Sequence, residues 1–222
     1  MSVLSRLNPF RKTLAFDRNR LLEEAERARA AGRPRRTVGL YRRVLAAEPR
    51  NAELNARIAP LLAALGEDFD AWQAFRTAAQ AESSARRLPQ ALAIYREASA
   101  CLPRKFATWQ TIANLEIRLG HPQEAKAALL AGRRHLRKRR NRPEAIALLK
   151  AAREIDPWDP DVVLDLARLL ARARQRPEAQ WLLAGLADRS EGRSLRRVCR
   201  LQWNLEPSLS NTWRWLRALP AR

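Results

Sequence analysis

The chain has 222 residues, with 43 basic against 23 acidic side chains, a net charge of +20, 7 glycines and 2 cysteines. Leu, Ala, Arg and Glu dominate, which predicts helices and excludes a β-rich fold or one built on phosphate-cradling glycine loops. No apolar run reaches the roughly 18 residues that a membrane span needs.

Residues 1–16 read as an N-terminal basic amphipathic segment. Arg6, Arg11 and Lys12 accompany Val3, Leu4, Leu7, Phe10 and Leu14 in rough helical register, with no acid. The segment lacks the apolar core of a secretory signal. Pro9 interrupts the register, so a frayed or capping N-terminus is expected; the alternatives are an anionic membrane surface or a transit-like segment. From Asp17 to Ala31, Leu21, Leu22, Ala25 and Ala28 form a narrow helical stripe, with Asp17 as N-cap and Gly32 as turn. The segment Pro34–Ala47 turns Val38, Tyr41, Val44 and Leu45 inward and carries Arg35, Arg36, Arg42 and Arg43 on its other side. Further helices are predicted over 51–65 (with Pro60 inside), 68–87, 89–102, 104–119, 122–140, 143–155, 160–174, 177–187, 195–205 and 211–219. That makes about a dozen.

Several of these segments restate one another. Pro89–Pro103 places Ala91, Tyr95 and Ala98 between two prolines; Pro143–Pro157 places Ala145, Leu149 and Ala152 likewise; Pro34–Pro49 has Thr37, Tyr41 and Val44. Small residues are needed where neighbouring helices approach closely, and large ones fill the space between. A recurring helix of this kind reads as a repeat array. Pro49, Pro103 and Pro157 are spaced by 54 residues, with three helices between successive prolines. The middle helices, 68–87 and 122–140, are expected to be shared between adjacent pairs. They offer Ala71, Trp72, Phe75, Ala78 and Ala79, then Ala125, Leu129 and Gly132.

These positions resemble the tetratricopeptide repeat, whose second helix reads Ala-x3-Phe-x2-Ala-x4-Pro. Its first-helix pattern is best met at Trp109, Ile112 and Ala113, with Gly120 at the turn. The resemblance covers roughly residues 17–191 and implies an all-α, antiparallel helical-repeat solenoid, closed by capping helices over 192–222. It implies a non-catalytic protein-interaction scaffold or adaptor. Some members grip partner carboxylates with Lys, Asn and Arg on successive first helices. The corresponding positions here hold Leu22, Glu26, Arg57, Pro60, Ala107 and Thr111, so that clamp is absent.

No chemistry of catalysis is legible. There is no Cys-x-x-Cys, no nucleotide fingerprint and no nucleophile elbow. His121 and His135 have no second ligand one helical turn away, so no metal or cofactor is expected. Cys101 and Cys199 stand far apart in helical patterns and read as small buried thiols in a reducing, cytoplasmic setting, with the inner face of a membrane as the alternative. The positive charge is uneven: 13 basic and 5 acidic residues over 1–50, 5 and 6 over 51–103, 13 and 5 over 104–157, and 12 and 7 over 158–222. The excess of Arg and Ala also fits a GC-rich bacterial genome.

Three surfaces are candidates. One is a polar face made by Gln110, Thr111, Asn114 and Arg118, then Asp165, Arg168 and Arg172. Another is the basic patch Arg35, Arg36, Arg42 and Arg43 together with Arg133, Arg134, Arg137, Lys138, Arg139 and Arg140; the second group reads as the last turns of a long helix. The third is the C-terminal aromatic patch Trp213, Trp215 and Leu219, suited to a partner or a second copy of the chain. An acidic protein partner is expected. Nucleic acid is the second choice, because exposed aromatics for base stacking are missing from the basic run.

Overall fold

A computed structural model of the chain describes residues 17–218. Among these there are twelve α-helices and one 3-10 turn, and no strand. The chain divides into two compact units, one ending at Arg87 and the other beginning at Leu88.

The first unit holds α1 (Arg18–Ala30), α2 (Pro34–Ala47), α3 (Ala52–Ala64) and α4 (Asp68–Ser84). Each helix packs on the next. Asp17 caps α1 by accepting from the Arg20 N–H at 3.1 Å, and Asn51 caps α3 by accepting from the Leu54 N–H at 3.0 Å. Pro60 lies within α3, which runs unbroken from Ala52 to Ala64. The core carries Tyr41, Val44, Ile58, Ala59, Phe75, Ala78 and Ala79, all at most 1% exposed.

The second unit holds α5 (Leu88–Cys101), α6 (Phe106–Arg118), α7 (Pro122–His135), α8 (Arg142–Ile155), α9 (Pro160–Arg172), α10 (Arg176–Ala187), α11 (Gly192–Leu205) and α12 (Leu209–Arg217). Packing again runs from each helix to the next, and α11 also reaches α9. Thus α7 is packed on both sides, by α6 and by α8. Gly132 makes the α6 side of this possible. A Cβ there would sit 2.4 Å from Cγ of Trp109, whose indole Nε1 donates to the Pro103 carbonyl at 2.9 Å. The same indole stacks on His135, with ring centroids 5.6 Å apart.

One turn recurs. After α1, α3, α4, α6 and α9 the chain enters the left-handed region for one residue: Gly32, Gly66, Arg86, Gly120 and Arg174. In each case the next N–H returns to the carbonyl five residues back, as from Arg33 to Ala28 and from Gln175 to Leu170. This satisfies helix-end carbonyls and reverses the chain. Glycine adopts that backbone freely, so Gly32, Gly66 and Gly120 read as turns, while Arg86 and Arg174 accept the strain.

The helix predicted over 122–140 ends at His135. Leu136 leaves helical space at φ −97°, ψ 54°, Lys138 is extended at φ −69°, ψ 147°, and Arg139–Asn141 forms a 3-10 turn. In an unbroken helix Arg133 and Arg137, and Arg134 and Lys138, would be like-charge pairs one turn apart, which disfavours continuation. Other ends differ from expectation by one to three residues, as usual where helices fray.

Gly132→Ala is expected to destabilise the chain by about 1–3 kcal/mol, because the Trp109 ring must move. Gly39→Ala is the control: nothing lies within 4 Å of a Cβ at this exposed position of α2. It is expected to stabilise by about 0.5–1 kcal/mol. Denaturant unfolding of the two variants measures both; a neutral Gly132→Ala would mean that the α6–α7 approach is looser than described.

Candidate functional site

The positions aligned with a carboxylate clamp are occupied internally in the first unit. Glu26 accepts from the Tyr41 hydroxyl at 2.6 Å and from Arg57 Nη1 at 3.0 Å, and Arg57 also pairs with Glu53 at 2.7 Å. The Tyr41 hydrogen bond holds the Glu26 carboxyl below its ordinary range against the opposing effect of burial, with Arg29 and Arg57 adding to it. A nearby cavity of about 180 Å³ is lined by Arg18, Leu22, Asn51, Glu53, Leu54 and Arg57. Its two cations are matched, Arg18 by Glu48 at 2.8 Å and Arg57 as above.

The basic face of α2 is partly neutralised too. Arg42 donates to Glu67 and, at 2.5 Å, to Asp70, while Arg35, Arg36 and Arg43 are exposed.

The second unit is different. The broken end of α7 turns Leu136 inward, to 2% exposure, and leaves Arg137, Lys138 and Arg139 exposed. Arg142, opening α8, donates from Nη1 to the Arg172 carbonyl at the end of α9, at 2.6 Å. Arg133 meets Asp165 of α9 with Nη2–Oδ1 at 3.1 Å and Nε–Oδ2 at 3.0 Å. These links enclose a cavity of about 370 Å³. Six cations line it, Arg133, Arg137, Lys138, Arg139, Arg142 and Arg172, together with Leu136 and Leu169.

Two cavities adjoin it. One, of about 470 Å³, shares Arg139 and Arg142 and adds Lys150 and Gln175. The other, of about 340 Å³, shares Arg172 and adds Arg168, Arg176 and Asn204. No carboxylate and no aromatic ring lines any of the three among the described residues.

The predicted site residues therefore divide. Arg133, Arg137, Lys138, Arg139, Arg168 and Arg172 line this edge of α7–α9, and Asp165 holds Arg133 in place. Arg134 and Arg140 are exposed but line none of these cavities. Gln110, Asn114 and Arg118 are exposed on α6, and the Thr111 hydroxyl donates to the Ala107 carbonyl at 2.8 Å. These residues belong to α6, which packs on α5 and α7, and Asp165, Arg168 and Arg172 to α9, which packs on α8, α10 and α11. Arg142, Lys150 and Arg176 were not anticipated; only the stacking of α8, α9 and α10 reveals them.

At the C-terminal end, Trp215 stacks on Trp203 of α11 with centroids 5.9 Å apart. Trp213 is 64% exposed, with the Arg217 guanidinium 5.8 Å from its ring centre. Leu209 and Leu216, each about one turn from it, are exposed as well. Leu219 and residues 1–16 lie outside the described residues.

Burial pushes the thiols of Cys101 and Cys199 up, away from the thiolate form. Among the described residues no group of three His, Cys, Asp or Glu is placed to hold a metal ion, and no helix is long and apolar enough to cross a membrane.

Residues 136–195 match the family model of the tetratricopeptide repeat. Similar solved structures include a tetratricopeptide repeat protein from Parabacteroides merdae ATCC 43184, 14% identical over 90% of this chain and 90% of that one, TM-score 0.34. Another is a putative kinesin light chain of Podospora anserina with nearly identical repeats, 18% identical over 86% and 97%, TM-score 0.39. Pseudomonas aeruginosa PilF is 15% identical over 90% and 88%, TM-score 0.30. No curated protein sequence matches the chain. The matched repeat segment begins at Leu136, where α7 breaks, and contains most of the cationic cavity.

Because its folded pKa is lowered, Glu26 adds stability above its unfolded value of about 4.3 that is lost as pH falls through the folded value. Melting temperature followed from pH 7 to pH 3 is expected to fall more steeply below about pH 4.3 in the wild type than in Glu26→Gln.

Proposed function

We propose that the chain is a non-catalytic interaction scaffold that takes an acidic protein partner along the cationic edge of its second unit. Tetratricopeptide repeats serve in general as protein-interaction scaffolds, which supports the first half of this reading. The observation that carries the second half is the run of three adjoining cavities without one lining carboxylate. Such an edge raises the local concentration of a negatively charged partner and speeds encounter. Arg168 and Arg172 contribute charged contacts from α9, and Arg176 contributes one from α10. The lack of a lining aromatic ring argues against base stacking, and so against single-stranded nucleic acid as the main ligand.

Fluorescence anisotropy with a labelled glutamate-rich peptide tests the reading. The peptide is expected to bind at low salt, to weaken steadily as salt rises, and to lose about tenfold in affinity in the triple variant Arg168→Gln, Arg172→Gln, Arg176→Gln. An oligoadenylate RNA that outcompetes the peptide would instead favour nucleic-acid binding. A peptide that binds the triple variant as well as the wild type would move the interface away from this edge.

A further inference from the structure

We infer that the cavity of about 370 Å³ between the α7–α8 connection and the end of α9 binds a phosphate-dense small anion, a molecule bearing two or more phosphoryl groups. This rests on the cationic edge used above and gives one part of it a ligand chemistry of its own.

Some cations elsewhere in the chain are paired with carboxylates across helices, while others, such as Arg35, Arg36 and Arg43, stand apart on open helix faces. Arg42 has Glu67 and Asp70, Lys126 has Asp156 and Asp159, Lys150 has Glu178, and Arg197 has Asp161. In the cavity Arg133 alone has a carboxylate, Asp165. The side chains of Lys138, Arg139 and Arg172 make no hydrogen bond or ion pair among the described residues. Unpaired like charges brought together oppose folding, so a solvated surface would gain by spreading them.

Helix dipoles do not account for the cluster. They favour cations in the last turn of α7 and at the end of α9, which covers Arg133 and Arg172. Arg139, however, stands three residues before the first residue of α8, and Arg142 is that residue, although its guanidinium is drawn to the end of α9 by the Arg172 carbonyl. The start of a helix is its positive end, where a cation is disfavoured and an anion is welcome. An anion seated among these side chains relieves both conflicts at once.

The donor set suits phosphoryl oxygens. Five of the six cations are arginines, whose planar forks pair two N–H groups with phosphate oxygens. Three are already pinned along one edge: Arg133 by Asp165, Arg137 by Nε donation to the Arg134 carbonyl at 2.9 Å, and Arg142 by the Arg172 carbonyl. Their remaining N–H groups are thereby held ready, so less freedom is lost on binding. A phosphoryl group carries about two negative charges and three acceptors, against one charge for a carboxylate. Six cations in a cavity of about 370 Å³ match two or more such groups better than a run of carboxylates spaced along a peptide. The volume is that of a small-molecule site.

Isothermal titration calorimetry of the full chain with tripolyphosphate, at fixed ionic strength, tests this, with citrate as a carboxylate control. Tripolyphosphate is expected to bind at least about tenfold tighter than citrate. The double variant Lys138→Gln, Arg139→Gln is expected to weaken it by at least about tenfold, whereas Arg35→Gln, Arg36→Gln on α2 leaves it unchanged. Lys138 and Arg139 are exposed and unpaired, so the first variant folds, and without ligand it melts no lower than the wild type. Tripolyphosphate then raises the melting temperature of the wild type and not of that variant. Equal loss in both double variants, or equal affinity for citrate, overturns the inference in favour of diffuse charge. Oligoadenylate RNA that binds tighter than tripolyphosphate and is lost in the same variant also overturns it. A glutamate-rich peptide that binds while tripolyphosphate does not refutes the cavity alone; the reverse result refutes the acidic-partner scaffold and leaves the cavity standing.

Discussion

Close approach of helices through side chains too small to hold a neighbour off is the constraint on which both units depend. Ala25, Ala59, Ala71, Ala78 and Ala79 are fully buried in the first unit, and Ala91, Ala98, Ala125, Ala152, Ala167 and Ala179 in the second. At each, the neighbouring helix fills the space that a longer side chain would take. Tyr41, Phe75, Leu129, Leu149 and Leu166 then fill the gaps between these contacts. The alternation of small and large lets one packing solution be repeated with different residues, because nothing in it requires a particular large side chain. Gly132 is its extreme case, where even a methyl group would meet the Trp109 ring.

This constraint is also why the helices were legible. A buried alanine with a tyrosine or leucine four residues on, closed by proline, is a local pattern, and it located the second helices around Ala91, Ala145 and Thr37. Glycine marked three of the recurring turns. The other two, at Arg86 and Arg174, use the same hydrogen bonds with a residue that carries no turn signal, so the helices before them were drawn too long. The end of α7 was missed for another reason. Helical periodicity continues to Leu136, which would sit on the buried stripe in an unbroken helix. Like-charge pairs one turn apart disfavour continuation there, and they leave no mark on periodicity.

Much less of the candidate site could be read. The basic run 133–140 is visible as composition, but composition does not say which charges are spent. In the first unit Arg42 and Arg57 are consumed by acids 25 to 31 positions away, in either direction. In the second unit Arg133 is consumed by Asp165, whereas Lys138 and Arg139 are left over. Arg142 and Arg172 join them only because α8 and α9 are stacked neighbours. Pairing across helices is set by the register of packing, and register is what a sequence pattern leaves open.

The irregular α7–α8 connection therefore deserves a physical rather than a formal reading. After α2, α5 and α8 a proline stands two residues past the helix end, and four residues separate each from the next helix. Here the chain spends six residues between His135 and Arg142, none of them glycine or proline, and four of them cationic. A connection chosen for closure alone would be shorter, since each ordered residue costs about 1–2 kcal/mol of backbone entropy. It would also not carry cations up to the positive end of the next helix. What the extra residues provide is three cations that line one cavity together with Arg133 of α7, Arg142 of α8 and Arg172 of α9. A repeat that is otherwise built from interchangeable helices thereby acquires, at one junction, a position unlike the rest.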